Sequence, residues 1–308
     1  MVTLVTGGTG FVGSNIVRTL AEKGHDVVSL DITPPDSMVL KYLEPWSSNT
    51  QFVQLDILNA ESLHDVASRY SVDKIVHAAV YTSTLEETER DDSRRIIDVN
   101  IGCTANMLEL ARTLDIKRFV YVSSGGVYRG LVGSVQSLTE DLPLSPTTFY
   151  NITKYASEGI TQRYGEVHNF EAVCVRLSSP YGPMERPTNY RVLMGMLYNW
   201  TRSIVRNEPI HVPLGTMGGD WMFVRDKAEA ICTVLDAGAL NHKVYNITQG
   251  APASLSQLIE AFKEADPSAR FVGPGIQEHK TETARSYMDI SNLQELGFTP
   301  KYDLISGV

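Results

Sequence analysis

The sequence predicts an α/β protein built on a doubly wound parallel sheet, with a smaller mixed lobe towards its C-terminal end. Through residue 178, short runs rich in β-branched residues alternate with segments of helical length, which is the pattern of repeated βα units. Most of these runs are almost continuously apolar, as expected for strands that helices cover on both faces. After residue 178 this alternation ends.

Residues 1–178 are expected to form the sheet domain. Its strands are read from the apolar runs and its helices from the segments between them. The predicted strands are Val2–Thr6, Asp26–Asp31, Phe52–Asp56, Lys74–Ala78, Arg118–Ser123 and Glu171–Leu177, and the predicted helices are Phe11–Lys23, Ala60–Tyr70, Ser93–Leu114 and Thr148–Val167.

Residues 179–308 are expected to form mainly a substrate-binding lobe, with some segments returning to the sheet. The loop "SSPYGPMERPTNYR" contains three prolines and leads into the helical segment "VLMGMLYNWTRSIV". Beyond it the sequence predicts a helix around Asp226–Ala237, a strand at "KVYNI" and short helices at "DISNLQEL" and "DLISGV". Ser254 and Gln257 have capping-box spacing and indicate the start of a further helix.

Composition narrows the classes of partner. The chain has 308 residues and a net charge of -9, with no long basic run, so nucleic acid and anionic membranes are not expected partners. It lacks a basic leader before an apolar stretch and any run of eighteen apolar residues, so we expect no signal peptide or membrane span. Cys103, Cys174 and Cys232 are far apart, which favours buried thiols in a reducing, cytoplasmic compartment. The sequence also lacks a His/Cys cluster with zinc spacing, and we expect no metal.

The first strand leads into a glycine-rich turn and then a helix, "VTLVTGGTGFVGSNIVRTL". Gly8, Gly10 and Gly13 fit G-x-G-x-x-G, and Gly7, Gly10 and Gly13 are also spaced by three. Glycines at these positions allow a tight turn and the close approach of a pyrophosphate to a helix N-terminus. The alternative is a turn used only for packing, but the strand, helix and following acid all favour dinucleotide binding.

Two strand-terminal carboxylates follow the glycine turn. Asp31 ends the second strand, where it can accept hydrogen bonds from an adenosine ribose. Residues 32 to 35 include no Arg or Lys, so the sequence favours NAD over NADP. Asp56 is predicted either to contact the adenine or to cap the next helix.

These residues resemble the extended short-chain dehydrogenase/reductases, the NAD-dependent epimerase/dehydratase family. The motifs occur in the family's order along essentially the whole chain: "TGGTGFVG", "LDI", "HAA", "NIGCT", "SSGGVY", Tyr150 with Lys154, "RLSSPYGP" and "FVRDKAEAI". The resemblance implies a Rossmann domain that binds NAD. The cofactor contacts that it implies are Gly7, Gly10, Phe11, Val12, Gly13, Asp31, Ile32, Asp56, Ile57, Ala78, Ala79, Asn100, Tyr150 and Lys154.

By this resemblance, Tyr150 is the catalytic acid/base, Lys154 its partner, and Ser124 the serine that shares the substrate hydroxyl. Lys154 lies one helical turn from Tyr150, and we expect its charge to depress the pKa of the phenol. Lys154 would also hydrogen-bond the nicotinamide ribose. Ser124 could instead cap the following loop. Asn100 is expected to position the catalytic helix, and His77 is interpreted as a packed strand residue.

The sequence departs from the family's dehydratases immediately after the catalytic serine. Those enzymes carry an acidic pair where this chain has Gly125 and Gly126. Without a carboxylate, elimination from a keto intermediate lacks its acid and base. The sequence therefore disfavours dehydration, and also the decarboxylation for which relatives keep a glutamate there.

The substrate contacts are less well defined. Tyr81, Thr82 and Ser83 follow the fourth strand at its carboxyl end, where ligands bind in such sheets. Ser179 stands where 4-epimerases commonly have asparagine, and "GDW" at 219–221 stands where they have an arginine that clamps diphosphate. Ser124 and Gly125 are further candidate contacts. So are Arg186 and Arg191, which are either diphosphate ligands or solvated loop charges. No second arginine clamp is evident near residues 276–284.

Three functions remain open at this point. The first is an epimerase of a sugar or nucleotide-sugar that acts through a transient ketone. The second is a net dehydrogenase of a small polyol, sugar acid or hydroxy compound, and the third is an NAD-binding sensor without activity. The family also implies a homodimer, in which helices Ser93–Leu114 and Thr148–Val167 of each subunit form a four-helix bundle.

Overall fold

The computed structural model describes residues 1–82, 85–278 and 286–308. Short strands and helices alternate through the first part of the chain, as the sequence predicts. The strands are β1 (Val2–Thr6), β2 (Asp26–Asp31), β3 (Thr50–Gln54), β4 (Val72–His77), β5 (Arg118–Ser124), β6 (Ser137–Leu138), β7 (Glu171–Leu177), β8 (Ser179–Tyr181), β9 (Ile210–His211), β10 (Trp221–Phe223), β11 (Val244–Ile247), β12 (Phe271–Val272) and β13 (Tyr287–Met288).

The helices differ widely in length, and the longest one follows the β6 strand. Glu44–Asn49 and Gly125–Leu131 form tighter 3₁₀ segments, and Asp98–Gly102 forms a π turn. The α-helices are α1 (Phe11–Glu22), α2 (Ser37–Leu43), α3 (Ala60–Ala67), α4 (Glu86–Asp91), α5 (Ser93–Ile97), α6 (Cys103–Thr113), α7 (Phe149–His168), α8 (Met196–Val205), α9 (Val224–Asp236), α10 (Leu255–Ala265), α11 (Gly275–Glu278), α12 (Ser291–Gln294) and α13 (Leu304–Gly307).

The central sheet has seven strands in the order β11-β7-β5-β4-β1-β2-β3, and every pair in it is parallel. The direction of winding reverses between β1 and β4. In open α/β sheets, ligands bind at the carboxyl ends of the strands beside such a switch point. The structure therefore confirms the predicted fold class.

Apolar side chains bury both faces of this sheet. One cluster joins the sheet to α1 and α9, with Leu20 and Ile231 fully buried in it. A second cluster joins the opposite face to α3 and α6, with Leu63 and Leu108 buried. The core is thus divided into two layers, which hold the carboxyl ends of the strands in fixed positions.

The C-terminal part has its own apolar cluster. Trp200 lies in T-shaped contact with Phe262 and Phe271, between α8 and α10. β11, however, pairs with β7 and belongs to the main sheet. The boundary near residue 178 stays a prediction, although β11 shows one later segment in the sheet. Within the described residues, no helix is long and apolar enough to cross a membrane.

Several element bounds differ from those predicted. The third strand ends at Gln54 because its parallel partner β2 ends at Asp31, which lies opposite Gln54. The predicted helix Ser93–Leu114 is divided by the π turn, and α8 begins only at Met196. α2 was not apparent in the sequence; its N-terminus is capped by the Asp36 carboxylate, which accepts from the Val39 N–H at 2.8 Å.

Candidate active site

The glycine turn between β1 and α1 is tightly packed. Gly7 has a φ of +70°, and a Cβ there would lie 2.9 Å from the Cα of Ala79. A Cβ on Gly13 would lie 1.9 Å from the Gly7 carbonyl oxygen. Side chains are therefore excluded at both positions, and the N-terminus of α1, beginning at Phe11, reaches the edge of the sheet. A helix N-terminus in this setting suits a pyrophosphate.

Asp31 lies beside this turn. Its Oδ2 accepts from the Thr9 N–H at 3.0 Å, and its Oδ1 accepts from the N–H of Thr33 at 3.1 Å. The carboxylate is thereby oriented at the carboxyl end of β2 while remaining half-buried. This arrangement fits the ribose contact that the sequence predicts. The neighbouring Ile32 is exposed.

Asp56 does not cap the next helix. Its Oδ1 accepts from the N–H of Leu58 at 2.9 Å, whereas Asn59 caps α3 by accepting from Ser62. Asp56 is exposed and Ile57 is buried. Of the two roles predicted for Asp56, the helix cap is wrong, and contact with the adenine stays a prediction.

The loop after β4 is fixed by hydrogen bonds to β1. The Thr6 hydroxyl accepts from the N–H groups of Ala78 and Ala79 at 3.2 and 3.1 Å. His77 is buried, with Nδ1 2.7 Å from Thr6 Oγ1 and Nε2 3.2 Å from Thr104 Oγ1. Burial, with a smaller effect of the Lys154 charge, lowers the pKa of His77 to about 3. His77 is thus a neutral, packed residue.

Asn100 joins this loop to the catalytic helix. Its Oδ1 accepts from the Tyr81 N–H at 2.9 Å, and its Nδ2 donates to Thr153 Oγ1 at 3.0 Å. Because Asn100 lies in the π turn, its carbonyl also accepts from the Ser157 hydroxyl at 3.0 Å. π turns occur frequently at functional sites. The positioning role predicted for Asn100 agrees with these contacts.

Ser124 and Tyr150 meet at the end of β5. Ser124 Oγ accepts from the Gly126 N–H at 3.0 Å, and it also forms a hydrogen bond with Tyr150. Ser124 therefore both caps the following turn and faces the phenol. Tyr150 lies in the first turn of α7, whose cap is Thr148.

Lys154 lies under this pair, one turn along α7. It is 3% exposed, and its Nζ donates to the Val122 carbonyl at 2.7 Å. Burial, partly opposed by the charge of Glu158, lowers the pKa of Lys154 to about 7. The ammonium is thus easily deprotonated, and its observed partner is a backbone carbonyl.

The prediction that Lys154 lowers the pKa of Tyr150 is wrong when only the groups of the protein are considered. Burial raises the pKa of Tyr150 above its ordinary value, against the lowering effects of the Ser124 hydrogen bond and the Arg191 charge. Desolvation disfavours the phenolate more than these two groups favour it. A further positive charge, such as that of an oxidised nicotinamide, would be needed to lower it.

A buried network behind the catalytic helix was missed in the sequence. Glu158 accepts from Ser123 Oγ at 2.6 Å and pairs with Arg176 at 2.8 Å, which joins α7 to β5 and β7. Arg176 also donates to the Tyr128 hydroxyl at 2.5 Å. The signal was present, because Glu158 lies at the i+4 position from Lys154 on the same face of the helix.

Side chains at Gly125 and Gly126 would have to displace neighbouring side chains. A Cβ on Gly125 would lie 2.6 Å from the sulfur of Met288, and one on Gly126 would lie 2.2 Å from Asn151 Oδ1. Met288, on β13, is buried against Tyr128. The space beside the catalytic serine is therefore filled by a thioether and an amide.

The two candidate arginines lie at different places. Arg191 pairs with the buried Glu185 at 2.6 Å, lies 5.3 Å from the ring of Phe11, and acts on Tyr150 through its charge. Arg191 thus lies within electrostatic range of Tyr150, and its contact with a substrate stays a prediction. Arg186 instead lies against the glycine turn, where it donates to the Thr9 carbonyl at 2.9 Å.

The other predicted substrate contacts lie around the same edge. Tyr81 follows β4 and donates its hydroxyl to Asp92 at 2.8 Å. Thr82 follows it and is half-buried, and Ser179 is exposed on β8. Ser83 and the greater part of the segment 276–284 lie outside the described residues. At the position of the missing clamp, the Gly219 backbone bridges to Ala253.

A doubly wound parallel sheet, a glycine cradle and a Ser–Tyr–Lys set at its carboxyl edge define a short-chain dehydrogenase/reductase. The chain belongs to the NAD dependent epimerase/dehydratase family, whose sequence model matches residues 3–248.

Its relatives include both kinds of enzyme in the family name. The chain is 27% identical to a UDP-glucuronate 4-epimerase of Thermodesulfobacterium geofontis, over 99% of this chain and 93% of that protein. It is 28% identical to mouse dTDP-D-glucose 4,6-dehydratase, over 99% and 86%. Among solved structures, the UDP-glucose 4-epimerase of Thermotoga maritima with UDP-glucose has a TM-score of 0.83 and 25% identity, covering 100% of this chain and 96% of that one.

Proposed function

We propose that the protein is an NAD-dependent epimerase of a sugar-like substrate, acting through a transient ketone. The observation that carries this proposal is the position of Met288. Ser124, Tyr150 and Lys154 form a complete set for oxidising a secondary alcohol, but the Met288 sulfur occupies the space beside Gly125. No carboxylate stands at position 125 or 126, and a side chain at 125 would have to displace this thioether. A ketone formed in this site therefore lacks the acid for elimination and is expected to be reduced again.

The protein's own groups account for the proton transfers. Tyr150 takes the proton of the substrate hydroxyl, and Ser124, which already hydrogen-bonds Tyr150, holds the same substrate oxygen. NAD, when bound, supplies the hydride acceptor and donor. For reduction, Tyr150 returns the proton to the ketone oxygen. Inversion requires that the ketone turn its other face before this step.

Several residues fit the cofactor. Gly7, Gly10 and Gly13 would hold the pyrophosphate at the start of α1, and Asp31 would accept from the adenosine ribose. Phe11, Val12, Ala78 and Ala79 line the same edge. Lys154 would exchange its bond to the Val122 carbonyl for the nicotinamide ribose, or share the two.

Arg191 is the residue that we propose as the main substrate contact. Arg191 has a buried Nε without a hydrogen-bond partner among the residues that the structure describes, while its NH2 binds Glu185. A guanidinium of this kind suits an anionic group on the substrate. The relatives named above act on nucleotide-sugars, and a sugar nucleotide is accordingly our first candidate.

A net dehydrogenase is the second candidate. It is favoured by the glycine at position 219, because Gly219 offers no cation to a diphosphate. A small polyol or sugar acid would not need that clamp. The intact Ser124, Tyr150 and Lys154 disfavour a sensor without activity.

One assay separates these functions. Purified protein is denatured and its released NAD(H) is measured, and the protein is then assayed with UDP-sugars and with a panel of polyols and sugar acids. Retained NAD together with conversion of a sugar to its epimer is the expected result. Empty protein that forms NADH on a polyol would identify a dehydrogenase and contradict the proposal.

We also propose a homodimer formed through α7 and the α5–α6 region. On α7, Ile152 and Tyr155 are 45% and 44% exposed, beside a groove of about 550 Å³ lined by Ala156 and Ile160. Apolar side chains of this size on one helix face suit an isologous interface. Light scattering at micromolar concentration should give twice the chain mass of 34.1 kDa, and a monomer would refute the dimer. The cytoplasmic location stays a prediction.

A further inference from the structure

The segment 183–191, which we call the strap, crosses from the C-terminal part of the chain to the glycine turn. At its start, the Pro183 carbonyl accepts from Asn15 Nδ2 on α1 at 3.0 Å. At its end, Arg191 lies over the ring of Phe11, and Tyr190 makes a T-shaped contact with Tyr81. The strap therefore spans the carboxyl edge of the sheet along the proposed cofactor cleft.

Arg186 fastens the middle of the strap. Its NH2 donates to the Thr9 carbonyl at 2.9 Å, its Nε to Asp36 Oδ2 at 3.1 Å, and its NH1 to the Met184 carbonyl at 3.2 Å. The side chain is only 13% exposed. A planar guanidinium can hold acceptors from the glycine turn, α2 and the strap at once, which a single ammonium cannot do.

These contacts lie at the adenosine end of the cleft. Thr9, whose carbonyl binds Arg186, donates its own N–H to Asp31, the residue proposed to hold the adenosine ribose. Asp36 uses one oxygen to cap α2 and the other to bind Arg186. Arg186 and Thr9 thus connect the strap directly to Asp31 at the ribose site, and Asp36 holds Arg186 in place.

We infer that Arg186 is a cofactor-retaining residue, which fastens the strap over the adenosine half of NAD and slows its release. The inference rests on the proposed NAD site and adds to it a structural reason why NAD would be released slowly. A dinucleotide under the strap leaves only after the contacts of Arg186 to Thr9 and Asp36 break. An epimerase requires such retention, because the same cofactor serves both the oxidation and the reduction.

Two other roles for Arg186 make different predictions. As a substrate contact, it would face Tyr150, but its acceptors Thr9 and Asp36 lie beside the glycine turn and α2, at the adenosine end. As a ligand of a 2′-phosphate, it would favour NADP, but Asp36 already occupies its Nε edge. A phosphate there would also meet the negative charges of Asp31 and Asp36.

The test compares NAD release from the wild type and Arg186→Gln. Protein loaded with NAD is mixed with excess NADH, and energy transfer from tryptophan to the incoming NADH reports the release rate. We expect release from the variant to be about tenfold faster, as for the loss of a charge-assisted hydrogen bond. Arg186→Lys should give a smaller increase. Arg206→Gln, at an exposed arginine beyond α8, should match the wild type.

Asp36→Asn extends the test should Arg186→Gln fold poorly, as judged by circular dichroism. The amide oxygen can still cap α2, so the variant mainly removes the charge that binds Arg186, and release should be several-fold faster. Unchanged release in both variants overturns the inference while leaving the proposed function intact. It is also overturned if Arg186→Gln weakens only NADP binding in calorimetry, or raises only the KM of the substrate. A wild type that binds no NAD would overturn the proposed function and this inference together.

Discussion

The sheet side and the strap side of the candidate active site are formed by different kinds of groups. On the sheet side, backbone and short side chains at strand ends make the cradle, as where Gly13 packs on the Gly7 carbonyl. On the side of the strap, long side chains reach across the cleft to distant parts of the chain, as where Arg186 meets Thr9, 177 positions earlier. We infer from this difference that the sheet side forms the reacting centre and the cofactor cradle, whereas the strap side determines how long the cofactor is retained and which substrate is bound.

This contrast predicts that the largest effect on turnover comes from the sheet side. Tyr150→Phe removes only the hydroxyl that transfers the proton. Turnover should fall by about two to four orders of magnitude, the usual share of general acid–base catalysis, while NAD affinity stays near that of the wild type. Tyr302→Phe, at an exposed tyrosine near the end of the chain, is the matched control for steady-state kinetics. An active Tyr150→Phe enzyme would defeat the mechanism.

A second variant tests whether the cradle depends on collision rather than on backbone strain. In Gly7→Ala, the new methyl group would meet the backbone of Ala79 at 2.9 Å, at a φ of +70°. NAD affinity should fall about ten- to a hundredfold, because displacement of the packed backbone there costs about 1–3 kcal/mol. Gly24→Ala has a similar φ of +83°, but its new Cβ has no atom of the described residues within 4 Å. Calorimetry should show normal NAD binding for Gly24→Ala, and equal losses would refute the cradle.

Arg191→Gln examines the strap side. We expect the KM of an anionic substrate to rise about tenfold, since a charge-assisted contact is lost, with little change in NAD affinity. The pH–rate profile should also shift to higher pH, because the Arg191 charge lowers the pKa of Tyr150. Arg206→Gln again serves as control. A variant that binds NAD poorly and the substrate normally would show that Arg191 belongs to the cofactor.

The smallest effect concerns stability and pH. Lys154 has a pKa of about 7 in the folded protein, below the ordinary value of 10.5. Between these values the unfolded chain binds more protons, so stability rises with pH. The free energy of unfolding of the wild type relative to Lys154→Met should therefore rise by at most about 1.4 kcal/mol per pH unit from pH 7 upwards. Urea unfolding at pH 7, 8 and 9 measures it. A difference independent of pH would contradict the depressed pKa.

The sheet side could be predicted from sequence because its geometry is local. The glycine turn, Asp31 and the Tyr150–Lys154 spacing each specify a backbone conformation within a few residues. The contacts of Met288 with Gly125 and of Arg186 with Thr9 could not be predicted from the sequence, because each joins segments that are distant along the chain. The pKa of Tyr150 was predicted with the wrong sign for a related reason: its burial follows from tertiary packing.

The central claim is that one retained NAD takes the hydride and gives it back. The most direct test uses purified protein without added cofactor and a UDP-hexose or UDP-uronate deuterated at the reacting carbon. Mass spectrometry and NMR follow the deuterium and the configuration. The account predicts an inverted product that keeps deuterium at the same carbon, with protein-bound NAD unchanged at the end. Deuterium released into solution as deuterated NADH, or turnover only when NAD is added in stoichiometric amounts, would contradict it.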